Sequence, residues 1–298
     1  MRQSKFFAKI KKEAPKDEAA VNARLLIRAG FVDKLMAGVY SYLPLGLRVA
    51  KKIENIIREE IEKLGAQEIL MPALHPKSIW EETGRWQKME GILYKIKDSE
   101  GKEYGLGPTH EEIITDIVRK NIISYKDLPF SLYQIQTKFR DEPRAKSGLL
   151  RGREFAMKDL YSFHSSEDDL AKYYEKAKKA YLKIFKRCGL DAFVVEASGG
   201  AFTKEYSHEF MVKTAAGEDI TFFCPSCGFA QNREVAKVAA GDKCPACGKG
   251  KIEEAKTVEA GNIFKLGVKF SEDLKAHYIG KDGISRPIIM GCYGIGIG

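Results

Sequence analysis

The chain has 298 residues, 44% of them hydrophobic, which is enough for a sizeable core and roughly two domains. Fifty lysines and arginines stand against 41 aspartates and glutamates, and the net charge of +9 favours a polyanionic partner without identifying it. The sequence has no apolar run of about 18 residues and no apolar signal-peptide core, which excludes a membrane-spanning helix and indicates a cytosolic protein.

The first predicted element is a helix that begins after Pro44 and stops at Gly65. Lysines and glutamates fill its polar side. Its apolar side has helical spacing and consists of Val49, Ile53, Ile56, Ile57, Ile61 and Leu64. A short strand, Glu68 to Pro72, follows and ends at its proline. The amphipathic helix packs either on the core of its own chain or on a second subunit.

A hairpin and a second helix come next. Residues 93–106 predict two strands joined by a tight turn. The chain then passes through Gly107 and Pro108 and enters a helix at about residue 110. Thr109 and Glu111 therefore lie at a strand-to-helix junction.

Polar and apolar side chains alternate from Phe130 onward, which predicts a strand with one packed face and one binding face. The binding face carries Gln134, Gln136, Lys138 and Arg140. Arg140 and Glu142 are two residues apart, so in an extended strand they point to the same side. The arginine of such a pair could bind the polyanionic end of a ligand while the carboxylate binds its other end.

A second strand, residues 155–163, is predicted to pair antiparallel with the first through a long cationic loop. The loop carries Arg144, Lys146 and Arg151, which suit a triphosphate. A surface hairpin with solvated charges is the alternative interpretation. A capped helix follows, at about residues 166–189.

Four of the six cysteines form two Cys-x-x-Cys-Gly pairs. Cys224 with Cys227 and Cys244 with Cys247 are separated by sixteen residues, a spacing typical of a two-knuckle zinc ribbon. Disulfides are rare in the reducing compartment that we expect for this chain. Four thiolates would complete a closed tetrahedral shell, so the predicted Zn²⁺ is structural. Free cysteines or a redox pair are the alternative.

Seven segments of the sequence resemble one known family. They are GPTHEE at 107–112, YQIQTKFR at 133–140, KFRDE at 138–142, RGREF at 151–155, KDLYSFH at 158–164, SHEF at 207–210 and MGCYGIG at 290–296. The arrangement F-R-x-E, a loop, then R-x-x-x-F-x-x-x-D is similar to motif 2 of class II aminoacyl-tRNA synthetases. The flanking segments resemble the bacterial-type prolyl-tRNA synthetases.

The fold class is α+β, because hairpin strands flanked by segregated helices indicate a largely antiparallel sheet. The resemblance implies the class II synthetase core, with an inserted zinc ribbon. Residues 1–222 would form the first part of the catalytic domain, 223–257 the insertion, and 258–298 the returning part up to an incomplete motif 3. The helix after Pro44 resembles motif 1, which forms the homodimer interface in this class.

The implied activity is that of a proline–tRNA ligase. ATP with Mg²⁺ activates proline to prolyl-adenylate, and tRNA(Pro) then accepts the prolyl group, so catalysis needs positioning and charge stabilisation but no protein nucleophile. Arg140 would bridge the α-phosphate and the proline carboxylate as a bidentate fork. Glu142 would accept hydrogen bonds from adenosine, and Arg151 would contact phosphates. Phe155 would stack on adenine, with a core aromatic as the alternative.

The resemblance also implies a proline pocket. Thr109 and Glu111 would bind the secondary ammonium group of proline, and Arg140 its carboxylate. His208 belongs to the same pocket in the family. Gly291 and Cys292 would form its floor, with simple packing as the alternative for the cysteine.

The chain departs from the family pattern at residues 202–206 and at Gly298. The first segment replaces a glycine-rich approach to SHEF, and at the second motif 3 would continue to an arginine that contacts the ATP γ-phosphate. We therefore expect a fragment of a longer protein, with weak turnover and without its anticodon-binding domain. The insertion is too short for an editing domain, which predicts mischarging with alanine unless a separate protein clears it.

Three other functions compete with this one. The first is a catalytically idle, synthetase-like module that binds tRNA or another protein. Intact Thr109, Glu111, Arg140 and Glu142 argue against it, because an idle module has no physical need for a full set of ATP and amino-acid contacts. The second is a zinc-ribbon nucleic-acid binder, although the ribbon is a small part of the chain. The third is threonine or serine specificity, which the GPTHEE and GCYGIG segments argue against.

Overall fold

The computed structural model describes residues 5–7, 10–13, 15–16, 18–143, 145, 147–200 and 207–297. Arg144, Lys146, the segment 202–206 and Gly298, all singled out above, lie outside these residues. The helices are α1 Val21–Arg28, α2 Pro44–Glu62, α3 Lys77–Glu82, α4 Arg85–Lys88, α5 Glu111–Asn121, α6 Glu167–Arg187 and α7 Lys269–Asp273. Among the described residues, no helix combines the length and the apolar character that crossing a membrane requires.

The strands account for the hairpins and the central sheet. They are β1 Val32–Met36, β2 Val39–Tyr42, β3 Gln67–Glu68, β4 Leu74–Pro76, β5 Tyr94–Lys97, β6 Glu103–Leu106, β7 Phe130–Phe139, β8 Glu154–His164, β9 Ala192–Ala197, β10 Ser207–Lys213, β11 Asp219–Phe223, β12 Ala230–Asn232, β13 Glu253–Gly267, β14 His277–Ile279, β15 Ser285–Pro287 and β16 Ile289–Ile297.

Within the described ranges, nine strands form one sheet in the order β10-β9-β12-β11-β13-β16-β8-β7-β3. Its neighbouring strands pair antiparallel except β12 with β9 and β3 with β7, which are parallel. Smaller sheets are formed by β1–β2, by β4–β6–β5 and by β14–β15. The prediction of an α+β fold with a largely antiparallel sheet is therefore confirmed.

Different helices cover the two faces of this sheet. Helices α2 and α6 cover one face, where Tyr181 packs with Leu160 and Tyr293. Helices α3, α4, α5 and α7 cover the other, where Tyr161 and Cys292 lie. Cys292 and Tyr293 face opposite sides because successive side chains of a strand alternate. We call the two sides the α6 face and the α5 face.

Most predicted elements are present. The helix after Pro44 is α2, and Gly65 follows it with a φ of +84°, a conformation that glycine adopts without strain. The hairpin at 93–106 is β5 with β6, and the two strands around the cationic loop are β7 and β8. The capped helix is α6, since the hydroxyl of Ser166 accepts the N–H of Asp169 at 3.2 Å.

The predicted strand from Glu68 to Pro72 is wrong in its extent, because β3 ends at Glu68. The N–H of Ile69 still donates to the carbonyl of Tyr133. Beyond it, the N–H of Met71 donates to the side-chain oxygen of Gln134 at 3.0 Å, and a proline has no N–H. Side-chain bonding therefore replaces the strand ladder at this point.

The cysteine-rich insertion shares its strands with the core. Strand β13 pairs with β11 in its first part and with β16 in its last part, without a break. The predicted boundaries at 222/223 and 257/258 fall within β11 and β13. The division into three parts remains a prediction, but the insertion is structurally continuous with the sheet.

Lys158 is a buried cation on the α6 face. Its side chain is fully buried, and its ammonium group donates to the hydroxyl of Tyr181 and, at 3.1 Å, to the carbonyl of Tyr293. Burial lowers the pKa of Lys158 to about 7. The folded protein therefore binds this proton less tightly than the unfolded chain does.

Replacing this lysine by methionine, Lys158→Met, removes the cost of burying an ammonium group and should stabilise the chain at pH 7. Replacement of whole buried ion pairs by apolar side chains stabilises by up to about 1–4 kcal/mol. Because the folded pKa is depressed, the parent gains stability as pH rises from about 7 toward about 10, and the advantage of the variant should shrink over that window. Urea unfolding of both proteins across that pH range measures the difference. Lys176→Met, at an exposed lysine of helix α6, is the control, and equal effects of the two changes would contradict the prediction.

Candidate active site

A cavity of about 530 Å³ is lined by the β7–β8 connection and by residues of β8, β13, β16, α2 and α6. Arg140, Glu142, Arg151 and Phe155 all contribute to its wall. The structure thus brings together the four side chains that the sequence predicted to hold a nucleotide. Asn262 of β13 adds an amide to the same wall. We call this space the nucleotide cavity.

Arg140 is one of the residues that line this cavity. It follows β7 instead of belonging to it, so the prediction that Arg140 and Glu142 share one face of a strand is wrong. Its guanidinium carbon lies 5.1 Å from the centre of the Phe155 ring. Its Nε and Nη2 lie 3.4 Å from the carbonyl oxygen of Pro108, which they reach as weak donors. The fork therefore retains most of its hydrogen-bonding capacity for a ligand.

The β7–β8 connection is fastened to neighbouring elements. The N–H of Arg153 donates to the carbonyl of Gly38 at 2.8 Å, and its Nε donates to the carbonyl of Glu142 at 3.0 Å. Gly38 has a φ of +77°, and a Cβ there would lie only 2.7 Å from Cβ of Ala145. Glycine at the β1–β2 turn therefore allows this close approach. The hairpin and the connection together fix the position of Glu142.

Glu111 lies in a second, enclosed group of residues on the α5 face. The hydroxyl of Thr109 donates to the carboxylate of Glu111 at 2.6 Å, and the hydroxyl of Tyr161 donates to it at 3.2 Å. The thiol of Cys292 donates to the same carboxylate at 3.5 Å. Burial first, and then the charge of Glu111, raises the pKa of Tyr161 and of Cys292 well above their ordinary values. Both groups therefore stay protonated as donors; we call this the Glu111 pocket.

The two spaces meet at one residue. Pro108, whose carbonyl contacts the fork of Arg140, immediately precedes Thr109 of the Glu111 pocket. A ligand held by both spaces would thus place a carboxylate or phosphate at Arg140 and a cationic group at Glu111. That arrangement suits an amino acid joined to, or reacting with, a nucleotide.

Comparison with known proteins identifies the family of the chain. A family model for the class II core domain of tRNA synthetases (G, H, P, S and T) matches residues 94–298. The chain belongs to this family. It is 54% identical over 237 residues to the proline–tRNA ligase of Sulfurihydrogenibium sp., covering 80% of this chain and 42% of that protein. It is 52% identical over 274 residues to that of Caldicellulosiruptor saccharolyticus, covering 92% of this chain and 46% of that protein.

Solved structures share the fold of this class II core. Prolyl-tRNA synthetase of Giardia lamblia in complex with prolyl-adenylate superposes with a TM-score of 0.73 at 21% identity, covering 92% of this chain and 49% of that chain. The Cryptosporidium parvum enzyme with L-proline and AMP gives a TM-score of 0.69 at 15% identity, covering 91% of this chain and 48% of that chain. The present chain spans somewhat less than half the length of the two bacterial relatives.

Two residues that were predicted to form the proline pocket, His208 and Gly291, are directed to the α6 face of the sheet, opposite the Glu111 pocket. His208 is opposite Ile263, which is opposite Tyr293, so all three side chains point to the α6 face. Nδ1 of His208 lies 2.8 Å from the hydroxyl of Tyr174 on α6. A Cβ on Gly291 would meet the hydroxyl of Tyr293 at 2.4 Å on that face. The side chain of His208, and any side chain at position 291, would therefore point away from the Glu111 pocket.

Lys138 supports the Glu111 pocket through a buried network that the sequence did not reveal. Its ammonium nitrogen lies 2.8 Å from a carboxylate oxygen of Asp159 and donates to Nδ1 of His110 at 2.6 Å. Nε2 of His110 donates to the carbonyl of Pro72 at 3.0 Å. Burial, followed by the charge of Lys138, lowers the pKa of His110 to about 2, which keeps the ring neutral. Gln134 and Lys138 of the predicted binding face are both fully buried and bond to other residues of the chain instead of facing a ligand.

Arg85 and Glu112 were also missed. Nη1 of Arg85 donates to both carboxylate oxygens of Glu112, at 2.9 and 3.1 Å, and lies 3.4 Å from the carboxylate of Glu111. Burial raises the pKa of Glu112 to about 7 despite the neighbouring guanidinium. Two adjacent glutamates at the start of a helix with buried apolar residues could have signalled this cluster, because buried carboxylates require a cation.

The four cysteines of the predicted ribbon converge. The sulfur of Cys224 lies 3.8 Å from that of Cys247, and the sulfur of Cys227 lies 3.6 Å from that of Cys244. All four sulfur atoms are within 4.8 Å of one another. A tetrahedral zinc ion with bonds of about 2.3 Å separates its sulfur ligands by about 3.8 Å, so the cluster fits Zn²⁺. The N–H of Gly250 donates to the sulfur of Cys247 and lowers the pKa of that thiol, which favours the thiolate form.

Proposed function

We propose that the chain is the amino-acid-activating part of a proline–tRNA ligase. The observation that carries the proposal is the position of Arg140 between the nucleotide cavity and the Glu111 pocket. The names of the two bacterial relatives, at 54% and 52% identity, support proline as the amino acid. The complexes of the Giardia and Cryptosporidium enzymes support an adenylate as the product of activation.

In the first step of this proposal, a carboxylate oxygen of proline attacks the α-phosphorus of ATP, and pyrophosphate leaves. The guanidinium of Arg140 binds both reacting groups and offsets the charge that develops on phosphorus. Glu142 accepts hydrogen bonds from the adenosine, Arg151 contacts the phosphates, and Phe155 supplies a stacking surface for adenine. ATP enters as its Mg²⁺ complex, which neutralises part of the phosphate charge.

The Glu111 pocket would receive the secondary ammonium group of proline. That group has two N–H donors, and the hydroxyl of Thr109 and the carboxylate of Glu111 provide adjacent acceptors. Cys292 and Tyr161 close the pocket as protonated donors to Glu111. His208 acts, in our proposal, as a partner of Tyr174 and not as a proline contact.

In the second step, the terminal ribose hydroxyl of tRNA(Pro) attacks the carbonyl carbon of prolyl-adenylate, and AMP leaves.

We infer a homodimer through the region that resembles motif 1, because apolar side chains there are open to solvent. Leu70 is 75% exposed, and Leu47 and Val49 on α2 are 43% and 45% exposed. Large exposed apolar patches mark interaction surfaces. A cytoplasmic location accords with the need for tRNA.

We also infer that the thiol cluster of Cys224, Cys227, Cys244 and Cys247 holds a structural Zn²⁺. Four thiolates leave no open coordination position, so the ion would cross-link the two knuckles without activating water. The cluster lies next to the paired ends of β11 and β13. The ion would therefore brace the strand that continues toward Asn262 in the nucleotide cavity.

Calorimetric titration with N-prolylsulfamoyl adenosine, a non-hydrolysable analogue of prolyl-adenylate, tests the proposed function. We expect affinity at least about 10-fold higher than for the threonyl and alanyl analogues, because a pocket discriminates small side chains by about 1–3 kcal/mol. Equal affinity for the three analogues would refute proline specificity. Absence of binding by the folded chain would refute the proposed activation site.

A further inference from the structure

The guanidinium group of Arg85 is enclosed on the α5 face. It belongs to the one-turn helix α4 and is 3% exposed. Its central carbon lies 5.4 Å from the ring centre of Trp80 and 5.3 Å from that of Phe270. Contacts of this kind favour a planar cation held between aromatic groups and leave its edge available for hydrogen bonds.

That edge meets two adjacent carboxylates of α5. Both oxygens of Glu112 accept from Nη1, and one of them also accepts the hydroxyl of Thr83 at 3.0 Å. The Oε2 atom of Glu111 lies 3.4 Å from the same Nη1. Lys269 of α7 adds a second cation near this group, and its pKa is lowered by burial and by Arg85. Arg85 therefore compensates the charges of both glutamates inside the core.

The carboxylate of Glu111 has different contacts on its two oxygens. Its Oε1 accepts from Tyr161 and from Cys292, both on the central sheet. Its Oε2 faces Arg85, which lies outside the sheet, and the hydroxyl of Thr109 reaches either oxygen. Arg85 thus supplies the cationic contact on one side, and without it Oε2 of Glu111 would keep the hydroxyl of Thr109 but lose this contact.

We propose that Arg85 is a positioning residue for recognition of the proline ring nitrogen, acting through its shared contact with Glu112 and Glu111. This inference rests on the proposed function, because it concerns the group that Glu111 receives. Arg85 does not touch the substrate. It fixes the rotamer of Glu111, so that one oxygen remains beside Thr109, where the ammonium group of proline enters.

A purely structural role for Arg85 is the alternative, since it also ties α4 to α5. The two roles differ in what they affect. Loss of a structural contact would lower the affinity of every ligand of the site or of none. Loss of a positioning contact would lower the affinity of ligands that carry the ring N–H groups and leave unchanged the affinity of ligands that lack them. An analogue in which oxygen replaces the ring nitrogen, tetrahydrofuroylsulfamoyl adenosine, separates the two.

The experiment measures the affinities of the prolyl and the tetrahydrofuroyl analogues by calorimetry for the parent and three variants. In Arg85→Lys, which keeps the charge but not the fork, we expect a loss of about 10-fold for the prolyl analogue, since small misplacements of a positioned group have effects of this size or larger. Arg85→Met should lose more affinity for the prolyl analogue than Arg85→Lys does. The double variant Arg85→Met/Glu112→Leu removes both members of the pair, keeps the core apolar, and provides a folded comparison if the single change does not fold.

The tetrahydrofuroyl analogue should keep its affinity within about twofold in each folded variant. Arg187→Met is the matched control, because Arg187 also bridges two adjacent carboxylates, Glu59 and Glu60, and does not line the nucleotide cavity. Equal losses for both analogues, or no loss for the prolyl analogue, would overturn the positioning role. Failure of the parent to bind the prolyl analogue would overturn the proposed function instead.

Discussion

Replacement of Arg140 by alanine should abolish detectable activation of proline, because removing a donor to a developing anion lowers the rate by about 10²–10³-fold. It should also weaken binding of the prolyl-adenylate analogue by at least about 10-fold, through the loss of hydrogen bonds to a charged group. The reason is geometric. Arg140 contributes to the wall of the nucleotide cavity and also contacts the carbonyl just before Thr109, so it serves both halves of the ligand. Calorimetry of the variant with the prolyl analogue, beside thermal unfolding, measures the effect.

Two further variants sharpen this test. Arg140→Lys keeps the charge but cannot form two parallel hydrogen bonds, so most of the loss should persist. Arg286→Ala removes an exposed arginine whose partner is Asp282 on the β14–β15 hairpin, and it should leave the affinity unchanged. If Arg140→Ala were folded and bound the analogue like the parent, Arg140 could not be the bridging residue.

Local alternation predicted the strand-loop-strand unit, and the resemblance to motif 2 of class II synthetases predicted the residues in the wall of the nucleotide cavity. Alternation over residues 130–139 and the motif around Arg140 and Phe155 lie within thirty residues of one another. The convergence of four cysteines could likewise be predicted, since two knuckles with this spacing have few other uses. In each case the chemistry of the residues limited the possible arrangements.

Contacts between distant segments could not be predicted in this way. Alternation marks Lys138 as facing away from Tyr133, but it cannot tell a solvated lysine from one buried against Asp159 and His110. The face of the sheet that His208 occupies depends on the register of β10 against β13, which has an irregularity between Phe210 and Met211. Register is a property of the pairing of strands and not of either strand alone.

Removal of the proposed zinc should destabilise the insertion and the sheet edge beside it. We expect metal analysis of the chain purified without chelator to give about one zinc per molecule, and we expect Cys244→Ser to lose it. Free zinc at about 1,000 times its dissociation constant contributes about 4 kcal/mol to the folded state, and this contribution would disappear. Hydrogen exchange should then rise first in residues 223–257. Cys188→Ser changes a cysteine outside the cluster and should affect neither zinc content nor exchange there.

The same experiment separates a local effect from one that reaches the active site. Strand β13 runs from the cysteine cluster to Asn262 without interruption, and its last part pairs with β16, which carries Cys292. If the metal stabilises this strand, chelation should also lower the affinity for the prolyl analogue. Added zinc should then restore both the protection from hydrogen exchange and the affinity. If exchange rises in 223–257 while affinity is unchanged, the ion stabilises the insertion alone. Unchanged exchange and unchanged zinc content in Cys244→Ser would refute the metal site itself, because a closed four-thiolate shell cannot lose one ligand without effect.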